Sequence, residues 1–197
     1  MRLPTTYARH RKTGKAVLIL LLLTGVPYAW ACTFTAKVVG VSDGDTVKVV
    51  AERHCHDGRT PCKRGKVQYR IRLSQIDAPE KGQPWGQKAR QALADRVFGK
   101  FVQVEQVDVD RYGRLVADLY VGGDWVNADM VRNGHAWVYR KYLLDESLPE
   151  LEAAARKAGL GLWSLPESQR QAPWAWRKAQ RDARKAGKGD GDEAAAE

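Results

Sequence analysis

KVQYRIRLSQIDAPEKGQPWGQKARQALADRVF, residues 66–98, carries the most specific fold signals of this 197-residue chain. In residues 66–73 apolar side chains alternate with polar ones, which predicts a strand with one buried face. Two prolines interrupt the chain after this strand. Residues 85–98 then place alanine, leucine and valine side chains near one stripe, and Gly99 follows, which predicts a helix.

Strands are predicted on both sides of this stretch. Residues 34–41 and 46–51 are rich in β-branched side chains, and the Asp-Gly pair between them indicates a hairpin turn. Residues 101–109 and 115–121 predict two further strands. Five strands with a helix after the third predict an α+β fold, a small closed barrel of the oligonucleotide-binding (OB) type.

Two more helices are predicted after the last strand. Asn127 can cap a short helix that ends before Gly134. Ser147 and Glu150 have the spacing of a capping box, and Gly159 ends the helix that follows them. The predicted barrel therefore has three helices.

The first 31 residues have the pattern of a secretory signal peptide. A basic head precedes an apolar run at 16–26, and Ala-Trp-Ala at 29–31 offers a small-x-small cleavage site. The apolar run is short for a bilayer span, so a retained membrane anchor is the alternative. We expect a periplasmic or secreted protein, attached to a membrane only if Cys32, the residue after the predicted cut, is lipidated.

The charge of the chain is basic but not decisive. There are 33 Lys and Arg and 23 Asp and Glu residues. Removing the five basic residues of the signal segment from the 33 leaves 28 against 23, a net charge of +5. This excess helps to attract a polyanion, but many secreted proteins share it.

Two of the three cysteines flank a loop-like stretch. Export implies an oxidising compartment, so a disulfide between Cys55 and Cys62 is the simple interpretation. A zinc site formed by these two cysteines with His54 and His56 is the alternative, although the spacing is not a standard zinc pattern.

Acidic and arginine residues fall in three clusters that together suggest phosphodiester chemistry. They are SDGDT at 42–46, RIRLSQIDAPE at 70–80 and DRYGR at 110–114. Carboxylates can hold a divalent cation, arginines can fork onto phosphate oxygens, and a spare glutamate can handle a proton. Each cluster alone also has a structural interpretation as a turn or an ion pair.

Residues 33–163 resemble the staphylococcal nuclease family. The motifs are DGDTV at 43–47, R-x4-D-x-P-E at 72–80, D-x-Y-G-R at 110–114 and V-N-x3-V-R-x-G at 126–134. They are specific in combination and stand in the family's order.

The resemblance implies a calcium site and a catalytic acid. Calcium would be held by the carboxylates of Asp45 and Asp77 and by the backbone carbonyl of Ala78, where the family often has threonine. Glu80 matches the carboxylate that activates the attacking water. The segment at 81–84 is compact where the best-known member has a longer basic loop.

The resemblance also implies the residues that contact the substrate. Arg72 and Arg114 match the two catalytic arginines that bind phosphate. Tyr112 and Tyr142 match tyrosines beside the nucleotide, and Arg111 stands where a lysine is common.

Three regions follow from this comparison. Residues 1–31 are the predicted signal peptide and residues 32–165 the nuclease OB-fold domain. Residues 166–197 are predicted to be a basic polar tail that is disordered at its end, because no large apolar residue follows Trp176.

The sequence therefore predicts an exported, monomeric, calcium-dependent endonuclease. It would cut DNA and RNA with little sequence preference and leave 3′-phosphate ends, as the family does. The alternatives are a catalytically weak nucleic-acid-binding OB-fold module of the envelope, and an envelope structural protein or lipoprotein whose acids are merely solvated.

Overall fold

A computed structural model describes residues 32–51 and 65–193 of the chain. The predicted signal peptide, the Cys55–Cys62 disulfide and its zinc alternative lie outside these ranges. The backbone of Cys32 is described but its side chain is not.

The described ranges contain eight strands and four helices. The strands are β1 (Cys32–Asp43), β2 (Thr46–Ala51), β3 (Val67–Leu73), β4 (Ile76–Asp77), β5 (Phe101–Val109), β6 (Leu115–Val121), β7 (Asp124–Trp125) and β8 (Trp137–Val138). The helices are α1 (Gly86–Val97), α2 (Val126–Arg132), α3 (Ser147–Lys157) and α4 (Pro173–Glu193). Short 3-10 turns occur at Arg140–Tyr142, Gly161–Ser164 and Glu167–Gln169.

Five strands close into a barrel. The sheet order is β3-β2-β1-β5-β6, with β7 beside β6, and a parallel pairing of β3 with β6 joins the two ends. In that pairing Ile71 lies opposite Leu115. Strand β1 has register irregularities after Val38 and Val41, which let one long strand pair with both β2 and β5. The predicted five-stranded OB barrel is confirmed.

The predicted turn between β1 and β2 is packed tightly against α1. A Cβ atom at Gly44 would lie 2.7 Å from the Cβ of Ala78 and 2.8 Å from that of Ala89. Ala89 and Leu93 of α1 are fully buried against the barrel. Only a glycine lets the turn approach this closely, so the turn and the segment after β4 are held side by side.

Two predicted helix caps are not present. Helix α2 begins at Val126, and the buried side chain of Asn127 donates to the carbonyl of Ser74 at 3.1 Å and accepts from the Leu119 amide at 3.1 Å. Asn127 therefore ties α2 to the barrel. Helix α3 has no side-chain cap hydrogen bond, and the Ser147 amide donates to the Asp145 carboxylate at 2.8 Å rather than to the Glu150 side chain.

The fourth helix, α4, was not predicted. Its first residue, Pro173, is buried, and Trp174 stacks on Tyr139 with ring centroids 5.5 Å apart and an interplanar angle of 3°. Trp174 also packs edge-on against Trp137 at 5.8 Å. These aromatic contacts anchor a helix whose polar remainder needs no core. No helix in the described part of the chain is long and apolar enough to cross a membrane.

Candidate active site

Arg72 of β3 joins the two separated acidic clusters. Its Nη1 donates to the carbonyls of Leu73 and Ile76 at 2.8 and 2.9 Å, which fixes the guanidinium. Its Nη2 lies 2.8 Å from Asp77 Oδ1 and 3.1 Å from Asp45 Oδ2. The carboxylates of Asp45 and Asp77 therefore converge at one end of the barrel, as the sequence predicts.

The position of Asp77 is set by a short strand pair and a constrained bend. Strand β4 pairs with β8, with Asp77 opposite Trp137. Before it, Gln75 has a φ of 63°, which is unusual for a residue with a side chain. Its Oε1 accepts from the amides of Leu144 and Asp145 at 2.8 and 2.7 Å, and these bonds stabilise the bend.

Asp45 is bound from both sides, and Asp43 adds a further acid. Asp45 Oδ2 accepts from the Ala78 amide at 2.7 Å, and its Oδ1 accepts from the Thr46 hydroxyl at 3.0 Å. Asp43 accepts from the Asp45 amide at 3.2 Å. Burial, followed by repulsion from Asp45, raises the pKa of Asp43 to about 7. Asp43 thus belongs to the site, although sequence reasoning did not include it among the ligands.

Glu80 lies at the edge of the site on a tightly folded loop. Its side chain is 38% exposed, so its carboxylate is accessible to water. The Gln83 amide donates to the Glu80 carbonyl at 2.8 Å, and the Glu80 amide donates to Gln83 Oε1 at 3.2 Å. A Cβ atom at Gly86 would lie 1.9 Å from the Glu80 carbonyl oxygen, so the start of α1 presses directly on this loop.

Arg177 of α4 reaches into the same site, and sequence reasoning missed it. Its Nη1 donates to Asp77 Oδ1 at 3.0 Å and to Glu80 Oε1 at 2.7 Å, and its Nη2 donates to Asp77 Oδ2 at 2.7 Å. Burial raises the pKa of Asp77, while the Arg177 and Arg72 guanidinium groups oppose that shift. Arg177 is 100 residues from Asp77 along the chain, so no local pattern links them.

The carboxylates fit a hard cation with an incomplete protein shell. Within the described residues, no group of three or more His, Cys, Asp or Glu side chains is arranged to hold a metal ion. Asp45 and Asp77 nevertheless direct oxygens at one guanidinium nitrogen. A calcium ion here would use these two carboxylates, with backbone, water or substrate oxygens completing the shell, which is common for hard cations.

The predicted substrate residues of the 110–114 segment form a separate group, in which Arg111 and Tyr112 are exposed and Arg114 is half-buried. Arg114 donates through Nε to Asp110 Oδ2 at 2.7 Å, so its described ion pair is with Asp110 and not with the carboxylates around Arg72. Tyr112 is 69% exposed, and Arg111 donates to its hydroxyl at 2.8 Å. Since Arg114 directly precedes β6, which pairs with β3, this group lies at the start of the strand that closes the barrel beside Arg72.

Tyr142 lies on the α4 side of the site. It is 56% exposed and packs edge-on against Tyr139 with ring centroids 5.0 Å apart. Tyr139 in turn stacks on Trp174 of α4. Tyr142 is therefore accessible to a ligand and held by an aromatic cluster.

A closed OB barrel with clustered carboxylates, an accessible glutamate and several arginines at one end is the arrangement expected of a barrel nuclease. The comparison with known proteins agrees. A sequence profile described as "Staphylococcal nuclease homologue" matches residues 70–165.

Three relatives extend the similarity over most of the chain. The "Micrococcal nuclease" of Shigella flexneri is 42% identical over 175 residues, covering 83% of this chain and 91% of that protein. "Protein ParB" of Escherichia coli is 37% identical over 184 residues, covering 88% and 95%. An "Uncharacterized endonuclease" of Haemophilus influenzae is 34% identical over 171 residues, covering 85% and 88%. The chain belongs to the staphylococcal nuclease family, as the motifs indicated.

Proposed function

We propose that this protein is a calcium-dependent endonuclease that hydrolyses DNA and RNA and leaves 3′-phosphate ends. The observation that supports this most directly is the contact of Arg72 with both Asp45 and Asp77. This contact brings together the two carboxylates that the family resemblance assigns to calcium and an arginine that the same resemblance assigns to phosphate. Glu80 is linked to Asp77 through Arg177.

The chain's own groups fit the steps of phosphodiester hydrolysis. Glu80 is exposed enough to accept a proton from a water molecule while the oxygen of that water bonds to phosphorus. The bond from phosphorus to the 5′ oxygen then breaks, that oxygen takes a proton from solvent, and the phosphate stays on the 3′ side. Glu80 returns to the carboxylate form by releasing its proton to solvent. A bound calcium ion would supply positive charge at the phosphate and orient the water.

The two arginines act differently in this proposal. Arg72 is held by two carbonyls and two carboxylates, so it acts as a fixed positive charge beside the phosphate. Arg114 is held through Nε, and its Nη groups make no described hydrogen bond, so they are free to fork onto phosphate oxygens.

The proposed lack of sequence preference follows from what the arginines bind. DNA and RNA share the phosphate, and contacts to phosphate carry no base information. Tyr112 and Tyr142 are exposed side chains that can pack against a sugar or base of any identity.

A cutting assay tests the function. Plasmid and RNA are incubated with calcium or with a chelator, using wild type, Glu80→Gln and Arg114→Ala. We expect cutting in calcium only, and a loss of about 10²–10³-fold in rate for either variant, the effect of removing one catalytic group. The products should accept a 3′-end label only after phosphatase treatment.

Three results would contradict the proposal: cutting that survives the chelator, no cutting in calcium, or Glu80→Gln with unchanged activity. The alternative, a weakly catalytic binding module, is favoured by the contacts of Arg177, which occupies both oxygens of Asp77. That alternative predicts oligonucleotide binding without cutting.

We also propose export to the periplasm or the medium, action as a monomer, and membrane attachment only through lipidated Cys32. The proposals of export and lipidation are supported by the pattern of residues 1–31 and by the cysteine that follows it. Mass spectrometry of the mature N-terminus tests the first and the last. An uncut N-terminus would support a retained anchor instead, and sedimentation tests the monomer.

A further inference from the structure

An open groove runs from the candidate site along helix α4. Its volume is about 490 Å³, and it is lined by Glu80 at one end and by Trp176, Arg177, Arg181 and Arg184 along the helix. The groove therefore begins at the proposed catalytic carboxylate and continues over a basic surface.

The three arginines form one stripe. Positions 177, 181 and 184 are spaced four and three residues apart, and such residues share one face of a helix. At 1.5 Å per residue they span about 10 Å along the axis. At about 3.4 Å per charge along one strand, that length covers about three charge spacings.

Among the side chains that the structure describes, Arg181 and Arg184 form no ion pair with a carboxylate. Arg177 is bound to Asp77 and Glu80, but the ion pairs found in residues 32–51 and 65–193 include neither Arg181 nor Arg184. Both are exposed. Helix α4 also lies beyond residue 165, where the family profile ends, so this stripe is an addition to the matched domain.

We propose that the α4 groove binds a single-stranded segment of the nucleic-acid substrate next to the bond that is cut. Arg181 and Arg184 bind its phosphates, and Trp176 offers a face on which a base stacks. A basic groove with an aromatic side chain is the usual platform for single strands. Only one part of this proposal rests on the proposed function, namely that the bound strand lies next to the bond that is cut. The binding itself needs no catalysis.

The groove position distinguishes this ligand from an anionic membrane surface. A flat surface would contact the exposed Lys178 and Lys185 as readily as the arginines. A strand in the groove contacts Arg181 and Arg184 selectively, because the two lysines do not line it. The pair Lys178→Ala/Lys185→Ala is therefore a matched control that removes the same charge from the same helix.

The test measures binding of a fluorescent oligothymidylate by anisotropy, in chelator, over a series of salt concentrations. For Arg181→Ala/Arg184→Ala we expect affinity to fall about tenfold at low salt relative to wild type. The slope of log K against log salt should shrink by roughly 1.4, since each lost phosphate contact on a single strand removes about 0.7. The lysine pair should change the slope by well under half of that. Trp176→Ala should weaken binding with the slope unchanged, and Trp176→Phe should restore it, because stacking is not ionic.

Equal effects of the arginine and lysine pairs on oligothymidylate binding would overturn the proposal. Binding to anionic vesicles is measured in parallel. The proposal is also overturned if Arg181→Ala/Arg184→Ala loses vesicle binding but keeps wild-type affinity for oligothymidylate. Circular dichroism identifies any variant that does not fold, and single substitutions at 181 and 184 then replace the pair. If the protein binds oligothymidylate through the groove but cuts nothing in calcium, the proposed nuclease activity is refuted and the proposed binding groove is supported. If it cuts but the arginine pair binds normally, only the groove fails.

Discussion

Replacing Arg177 by alanine should make calcium bind more tightly. Arg177 donates three hydrogen bonds to Asp77 and Glu80, and it uses both oxygens of Asp77. A cation held by Asp77 competes for those same oxygens. Wild-type protein must give up part of the Arg177 interaction to bind calcium, whereas in the variant only the Arg72 contact with Asp77 remains to compete.

The size of the effect follows from the burial of the two partners. Hydrogen bonds between charged groups contribute about 1.5–3 kcal/mol each. The Arg177 side chain is 34% exposed, so water screens it, and Arg72 still lies 2.8 Å from Asp77 after the change. We therefore expect a total of about 2 kcal/mol for all three bonds rather than their sum. At about 1.4 kcal/mol per tenfold change, this corresponds to a rise of roughly 30-fold in calcium affinity.

Calcium titration calorimetry and urea unfolding together measure this effect. In chelator, Arg177→Ala should lose about 2 kcal/mol of stability, because it leaves the fully buried Asp77 with one guanidinium partner. Saturating calcium should restore most of that loss. Lys178→Ala, the exposed neighbour, should change neither quantity, and Arg177→Lys should be intermediate because ammonium cannot fork. The reasoning is refuted if Arg177→Ala binds calcium no more tightly than wild type, or loses the same stability in both buffers.

Two further variants test the loop before α1 and a buried histidine. Gly86→Ala should lose about 2–3 kcal/mol of stability and most of the cutting rate, since the new Cβ would overlap the Glu80 carbonyl. Gly82→Ala is the control, because nothing lies within 4 Å of a Cβ at that position. Equal urea midpoints for the two variants would contradict this prediction. His135 accepts a 3.2 Å hydrogen bond at Nδ1 from Trp85, and burial lowers its pKa from the ordinary value of 6.5. Its contribution to stability is thus complete above about pH 6.5 and is lost as the pH falls, because the unfolded chain takes up the proton first. His135→Asn keeps an acceptor but cannot titrate. As the pH falls, the urea midpoint of wild type should therefore decrease relative to that of His135→Asn. A difference between the two midpoints that does not change with pH would refute the assignment.

Much of the barrel could be predicted because its signals are local. Alternation in residues 66–73 and an Asp-Gly turn determine strands and a hairpin regardless of what packs on them. Arg72 and Asp77 could be placed together because only four residues separate them, across one bend. The convergence of Asp45 on Asp77 could be predicted only from the family's motif order, since the pairing depends on barrel closure.

The caps and α4 could not be predicted for the opposite reason. An asparagine before a helix has the same local signal whether it caps or is buried, and Asn127 is buried because β6 and Ser74 lie behind it. The composition after Trp176 is too polar to predict packing. Helix α4 packs nonetheless, because an aromatic stack on Tyr139 and a charge contact with Asp77 act at its first two turns.

The charges of the site explain why an appended helix would carry this arginine. Asp45, Asp77 and Glu80 place three acids beside Arg72 and Arg177, so these acids outnumber the cations by one. Asp43, whose pKa is raised to about 7, adds a partial negative charge next to Asp45. Without Arg177 the excess of these three acids would be two, and a polyanionic strand would meet repulsion at the bond to be cut. A divalent cation held by Asp45 and Asp77 would bind Asp77 oxygens that Arg177 already contacts. The helix and the cation are therefore alternative partners for one carboxylate, and the calcium affinity of Arg177→Ala measures how strongly they compete.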